Sequence, residues 1–436
     1  MINTSPSVLI HKNLKAYCIF VYLLIFLILF SVLFFQNPDK VYCDSDVALY
    51  DDEIDIAAES AVIVNYETGD ILWEKNSSKL MYPASTTKML SSIVAIENIK
   101  NLEEITEITK NASGKNHSAF KFRTGDKISL IDLLKAALIS SHNNAPVALA
   151  EYVSVNVEDF VKLMNIKAKK IGAENSFFQN TNGLDNNFPD HKSTAIDLAK
   201  IASYCMRNEL FREIVNTRED TIKINDKEKK ITNTNNLLDY DYIKGIKTGC
   251  TINAGFCVVL YSEKENLKLL TVILNSSSQD ERDKDALKLL NWAYSNLKYT
   301  KIIDSEQPID SEQQAVTVNT GGQTLLDIDL YPDTDYVKLI NINSDTVDIK
   351  NKVNSNITFP IEKNKTLGSM DVFINDEKLT EINLISRENI GSCYIYQELS
   401  DEEEIQSRIV LIFLLVFYFL IFIFIIVRNL LTKKTL

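Results

Sequence analysis

Three short polar segments, far apart in the chain, constrain its fold more than any other feature, because each is chemically idle unless tertiary structure brings them together. The first, Tyr82-Pro83-Ala84-Ser85-Thr86-Thr87-Lys88-Met89-Leu90, runs into Ser91-Ser92-Ile93-Val94-Ala95-Ile96 and reads as the start of a helix. A serine and a lysine three apart share one face of a helical turn and can hydrogen-bond, which makes Ser85 and Lys88 a candidate nucleophile and base. A serine hydroxyl needs such a base, and a lysine serves only where burial or nearby positive charge keeps it partly neutral. The second segment, Ser141-His142-Asn143, lies between the apolar stretches Ile131 to Ile139 and Ala145 to Val153 and reads as a tight turn between helices. The third, Lys247-Thr248-Gly249, begins a strand that turns back at Asn253-Ala254-Gly255 into Phe256-Cys257-Val258-Val259-Leu260. Spacing alone is cheap: Ser295 and Lys298 repeat the first pattern in what reads as a surface helix, and Ser154-Val155-Asn156 repeats the second. Order and context separate the working copies from the decoys.

The three motifs, in this order and on these elements, resemble the active-site set of the serine penicillin-binding proteins and serine β-lactamases. The flanks of the first, together with Asn182-Gly183-Leu184-Asp185 and Gly245-Ile246-Lys247-Thr248-Gly249, are similar to those of the serine-type D-alanyl-D-alanine carboxypeptidases, the low-molecular-mass penicillin-binding proteins, and the resemblance covers about residues 57–390. It implies an α+β, β-lactamase/penicillin-binding-protein-like fold: a five-stranded antiparallel sheet with helices on both faces, then a small C-terminal all-β domain. It also implies a reaction: Ser85 attacks the carbonyl of the terminal peptide bond in a peptidoglycan stem peptide ending in D-Ala-D-Ala, an acyl-enzyme forms, D-alanine leaves, and water releases the shortened peptide. β-Lactam antibiotics would acylate the same serine.

Within that resemblance each residue type suits its task. Lys88 would be the general base, and Ser141 would relay a proton to the leaving nitrogen. Asn143 offers an amide donor and acceptor to the substrate. Lys247 and Thr248 would hold the free terminal carboxylate through charge-assisted hydrogen bonds. Gly249 would let the strand approach the substrate, and the backbone N–H groups of Ser85 and Cys250 would form the oxyanion hole. His142 carries no role and reads as an exposed turn histidine. Lys244 stands where relatives commonly have an acidic or small residue, and reads as surface. No metal and no cofactor are expected, since His11, His117, His142 and His191 are scattered without ligand spacing.

The ends of the chain bear on location. Ala16 to Phe35 is an uninterrupted apolar run preceded by Lys12 and Lys15, and Ile409 to Val427 is a second, followed by Arg428, Lys433 and Lys434. Each is about long enough to cross a bilayer. Positive residues at both outer flanks place both ends on the cytoplasmic side if the first run is retained; as a cleaved signal sequence it would equally export the body. The expected organisation is therefore residues 1–43 as signal sequence or membrane anchor, 57–300 as the catalytic domain, 311–395 as the β-rich domain, 396–407 as an acidic stalk and 408–428 as a transmembrane helix, with both domains outside the cytoplasm at the cell membrane. A formal net charge of -13 argues against nucleic acid as a partner.

Between these ends, Ala61-Val62-Ile63-Val64 and Ile71-Leu72-Trp73 flank Glu67-Thr68-Gly69-Asp70 as a hairpin. A mostly helical region follows to about Arg218, in which Phe160, Leu163, Met164, Ala168 and Ile171 keep helical spacing before Gly172. Strands return at Gly245, a last helix is expected over residues 281–297, and Asp304 to Pro308 reads as a linker. Beyond it alternation takes over, as in Leu326, Ile328, Leu330 and then Met370, Val372, Ile374. Of the six cysteines, Cys250 and Cys257 are a candidate disulfide, on the expectation that a turn centred on Asn253 and Ala254 sets them opposite one another.

Rival readings lose a required part. A class A β-lactamase needs a glutamate that drives water onto the acyl-enzyme, and no Glu-x-x-Leu-Asn segment lies between the second and third motifs. A D,D-endopeptidase shares the chemistry and stays open. A non-catalytic wall-binding relative would have lost Ser85 or Lys88, and a Ser-His-Asp hydrolase would show a Gly-x-Ser-x-Gly elbow.

Overall fold

The structure is a computed structural model that describes residues 54–114, 120–309, 315–319, 323–354, 357, 360–390 and 408–417. The expected N-terminal segment 1–43, the stalk 396–407 and residues 418–428 of the expected transmembrane helix lie outside the described residues; residues 408–417 are helical and exposed. Among the described residues no helix is long and apolar enough to cross a membrane.

The chain divides into two compact units, residues 1–295 and 296–436. The first begins with the hairpin β1 (Ser60–Asn65) and β2 (Ile71–Lys75), closed at Gly69, which adopts φ +82°. Then come α1 (Thr87–Asn98), the short pair β3 (Ile105–Glu107) and β4 (Lys127–Ser129), α2 (Leu130–Leu138), α3 (Ala145–Val153), α4 (Val157–Ile171), α5 (Ala195–Met206) and α6 (Glu209–Asn216). A hairpin absent from the sequence reading, β5 (Glu219–Ile224) with β6 (Lys227–Thr232), precedes β7 (Ile243–Thr251), β8 (Gly255–Lys264), β9 (Leu267–Ser276) and the helix α7 (Gln279–Asn296). The β5–β6 hairpin is lysine-rich, and in β6 only Ile231 is buried, so little hydrophobic alternation marked it.

One antiparallel sheet, in the order β2-β1-β9-β8-β7, organises this unit. Its first strand, β1, pairs with β9 of the last hairpin, and both faces of the sheet are covered. Val62, Val64, Val259, Tyr261, Leu270 and Val272 join the buried cluster formed with α1 to α6. The alternate residues Ala61, Ile63, Val258 and Leu260 are fully buried on the opposite face. There α7 presents Leu289, Leu290 and Ala293, and the Tyr294 hydroxyl donates to Ser262 Oγ (2.7 Å). Asp285 of α7 accepts the amide of Ala58 (2.8 Å), which fixes the entry into β1.

The helix signals act locally as their chemistry requires. Asn156, Thr194 and Asn208 cap α4, α5 and α6 with side chains that accept first-turn amides, and Gly172 closes α4 at φ +89°. Phe160, Met164, Ala168 and Ile171 are buried, whereas Leu163 stands exposed at the edge of that stripe. Both decoys resolve into ordinary structure: Ser154 ends α3, Asn156 caps α4 and Val155 between them is 96% exposed.

Among its described residues the second unit is all β apart from residues 408–417: β10 (Leu297–Ile303), β11 (Ala315–Asn319), β12 (Gln323–Asp327), β13 (Leu330–Pro332), β14 (Tyr336–Asn341), β15 (Val347–Val353), β16 (Thr366–Ile374) and β17 (Glu377–Ser386). β10 pairs with β14, β11 with β12, and a four-stranded sheet runs β13-β17-β16-β15. Ile328, Leu330, Met370, Val372, Ile382 and Leu384 form its core, and Ile374 is half-buried. Lys298, half of the second Ser-x-x-Lys, lies exposed on β10 rather than in a helix.

Candidate active site

Ser85 sits in a 3-10 turn, Ala84–Thr86, that leads directly into α1. The turn is tight: Ala84 holds φ +47°, a conformation a non-glycine residue adopts only when its surroundings impose it. Two glycines from distant segments provide that imposition. A Cβ on Gly183 would lie 1.7 Å from the carbonyl oxygen of Ala84, and one on Gly249 of β7 would lie 2.9 Å from the amide nitrogen of Ser85. Gly249 therefore brings β7 against the turn that carries Ser85, a contact within the protein rather than with substrate. Ser141, in the α2–α3 turn, also holds a left-handed φ of +56°.

Lys88 is fully buried in the first turn of α1. Its Nζ lies 2.6 Å from Ser85 Oγ and 3.3 Å from Ser141 Oγ, and donates to Asn143 Oδ1 at 2.8 Å. Burial, and then the positive charge of Lys247, hold this amine well below the ordinary lysine value. An amine so placed can exist in the neutral form that accepts a proton from a hydroxyl. Asn143 is held in turn, because Asn182 Nδ2 donates to its backbone carbonyl (3.1 Å).

On β7, Lys247 is 1% exposed and its Nζ donates to the Thr248 carbonyl (2.9 Å). Burial, with Arg282 nearby, lowers it to about 7. Thr248 Oγ1 lies 2.6 Å from Thr234 Oγ1. A cleft of about 630 Å3 opens over these groups, lined among others by Ser85, Ser141, Asn143, Thr248, Gly249 and Cys250. The structure thus gathers Ser85, Lys88, Ser141 and Asn143 in direct contact and sets Thr248, Gly249 and Cys250 along the same wall. Lys247 and Lys88 stand behind that wall, felt through charge and hydrogen bonds.

Residues 47–278 match the D-alanyl-D-alanine carboxypeptidase family, over half of the chain. The chain belongs to the D-alanyl-D-alanine carboxypeptidase family. Residues 298–392 match the C-terminal domain of penicillin-binding protein 5. D-alanyl-D-alanine carboxypeptidase DacF of Bacillus subtilis is 30% identical over 341 residues, covering 76% of this chain and 86% of that protein. DacD of Escherichia coli is 26% identical over 398 residues, covering 86% and 97%. Among solved structures, penicillin-binding protein 5 from Haemophilus influenzae superposes with a TM-score of 0.58 at 26% identity, covering 78% of this chain and 99% of that one.

Within this D-alanyl-D-alanine carboxypeptidase frame the structure corrects two expectations. His142 is 2% exposed, not an exposed turn residue. Its ring lies 4.6 Å and 4.2 Å, centroid to centroid, from Phe120 and Phe122. It accepts the Asn144 amide on Nδ1 (3.3 Å), which leaves Nε2–H to donate to the Phe120 carbonyl (3.0 Å). Burial lowers it to about 4. The Cys250–Cys257 pair is not bridged, since both thiols are free. The turn holds three residues between Thr251 and Gly255, so Cys257 faces Gly249 and Cys250 faces Phe256. That shift by one residue sends the two thiols to opposite faces, leaving Cys250 exposed on the cleft and Cys257 buried.

Three contributors escaped the sequence reading. Arg282, from α7, is 3% exposed and lines the cleft; a lone arginine in an ordinary helical stretch gave no signal. Thr234 precedes β7 in a polar loop and meets Thr248 only in three dimensions. His191 is fully buried, its Nδ1 accepting the Gln179 amide (3.0 Å) and its Nε2–H donating to Thr87 Oγ1 (2.9 Å), which ties α1 to the loop carrying Asn182.

Proposed function

We propose that this chain is a serine D-Ala-D-Ala carboxypeptidase that removes the terminal D-alanine from peptidoglycan stem peptides. The observation that carries the reading is the carboxylate-free contact of a buried, depressed amine with a hydroxyl: Lys88 Nζ 2.6 Å from Ser85 Oγ. Ser85 attacks the scissile carbonyl while its proton passes to Lys88. The tetrahedral oxygen takes the backbone N–H groups of Ser85 and Cys250. As the C–N bond breaks, Ser141 gives its proton to the departing amine and takes the one held on Lys88, 3.3 Å away, which returns the lysine to its neutral form. Water then hydrolyses the Ser85 ester with Lys88 again as base. Asn143 holds the substrate's peptide group, while Thr248, backed by the cations Lys247 and Arg282, takes the free carboxylate. β-Lactams acylate Ser85 by the same attack.

The apolar runs at the two ends of the sequence support a chain held at the cell membrane with its catalytic and β-rich domains extracytoplasmic. The test is labelling with a fluorescent penicillin, alongside D-alanine release from a pentapeptide. Wild type takes the label and releases D-alanine; Ser85→Ala does neither. Label retained by Ser85→Ala overturns the nucleophile assignment.

A further inference from the structure

Asp185 lies in the wall of the cleft, 5% exposed, with no part in the chemistry above. Its Oδ2 accepts the Thr251 hydroxyl (2.5 Å), and the Thr251 oxygen in turn accepts the Ala254 amide (3.0 Å). Those two bonds orient the carboxylate from the end of β7. Among the described residues no lysine or arginine ion pair with it is seen, and His191, which feels its charge, is lowered to about 4 by burial and so is neutral near pH 7; burying a carboxylate without a cation is costly. The cleft wall thus carries Thr248 and Arg282 and, beside Thr251, this carboxylate.

Position along the strand says which part of a substrate meets it. Gly249 abuts the Ser85 amide, and Thr251 is two residues further on, about 7 Å away along β7 on the same face. A peptide whose free carboxylate sits by Thr248 and whose scissile carbonyl sits at Ser85 runs its acyl portion towards Thr251 and Asp185. The residue before the D-Ala-D-Ala pair then lies within a long side chain's reach of the carboxylate.

Resting on the carboxypeptidase reading, we infer that Asp185 is a specificity residue that binds an ammonium group on the acyl side of the substrate. The preferred peptides are those whose residue before D-Ala-D-Ala keeps a free side-chain amine. An ammonium arriving there supplies the missing counter-charge without disturbing the Thr251 bond.

The experiment compares kcat/KM for D-alanine release from two peptides, Lys-D-Ala-D-Ala with a free side-chain amine and the same peptide acetylated on that amine, both blocked at the N-terminus. The ratio of the two values is insensitive to how much of a variant is folded. Wild type is expected to favour the free amine by about tenfold or more, the effect of one charge-assisted hydrogen bond, and Asp185→Asn to bring the ratio near one. Asp185→Glu, which keeps the charge, restores part of the preference. A wild-type ratio near one, or a preference that persists in Asp185→Asn, overturns the assignment while leaving the carboxypeptidase reading intact. No D-alanine release from either peptide by wild type overturns both.

Discussion

Gly249→Ala tests the claim that β7 positions the nucleophile through backbone contact. The added methyl group would lie 2.9 Å from the Ser85 amide nitrogen, 3.0 Å from Ala84 Cβ and 3.2 Å from the Pro83 carbonyl. Two of those three neighbours are backbone, so no side chain can rotate out of the way. Reaching ordinary van der Waals distance requires β7 and the Ala84–Thr86 turn to separate by about 0.5 Å. Ala84 is already at φ +47° with Gly183 pressed against its carbonyl, so the turn has little room to yield and the strand must move. The strand carries Thr248 and the Cys250 amide, hence the substrate grip and the oxyanion hole move with it. Catalytic geometry tolerates about 0.5 Å before rates suffer, and a 1 Å error costs around a hundredfold. Acylation by penicillin should therefore slow by about 10- to 100-fold, while overpacking costs about 1–3 kcal/mol of stability. Stopped-flow acylation with a chromogenic cephalosporin, paired with a thermal melt, reads both. An acylation rate within twofold of wild type and an unchanged melt would refute the reasoning.

Other consequences follow from charge and burial. Lys88→Arg keeps the length and the cation but cannot deprotonate; penicillin acylation should fall by about 100-fold or more, and a rate near wild type would remove Lys88 as the base. His142 and His191 are both lowered to about 4 by burial. Each binds a proton more readily unfolded, so each contributes stability that is complete above about 6.5 and is lost as pH falls towards 4, at up to about 1.4 kcal/mol per pH unit per histidine. His191→Gln should flatten the decline in melting temperature between pH 7 and pH 5, and an unchanged slope would show that His191 does not drive it. Native-state alkylation should label Cys250 and spare Cys257, read by peptide mass spectrometry; a bridged peptide would contradict the observed register.

Local chemistry is what the sequence could express. A helix that sets Lys88 one turn from Ser85, a turn bearing Ser141 and Asn143, and a strand carrying Lys247 to Cys250 were all legible, because side-chain period and capping residues act within a few positions; the burial of Lys88 was not. The α4 stripe and its Gly172 stop were legible for the same reason. Register and convergence were not. Turn length moved Cys257 opposite Gly249, and the aromatic pair Phe120 and Phe122 buried His142. Gly249 proved to face Ser85 itself. Arg282, Thr234 and His191 reach the site or its supports from elements whose own patterns announce only helix or loop. Such contacts join residues that the chain separates by tens of positions, and their energy depends on distances that only the packed sheet and its helices set.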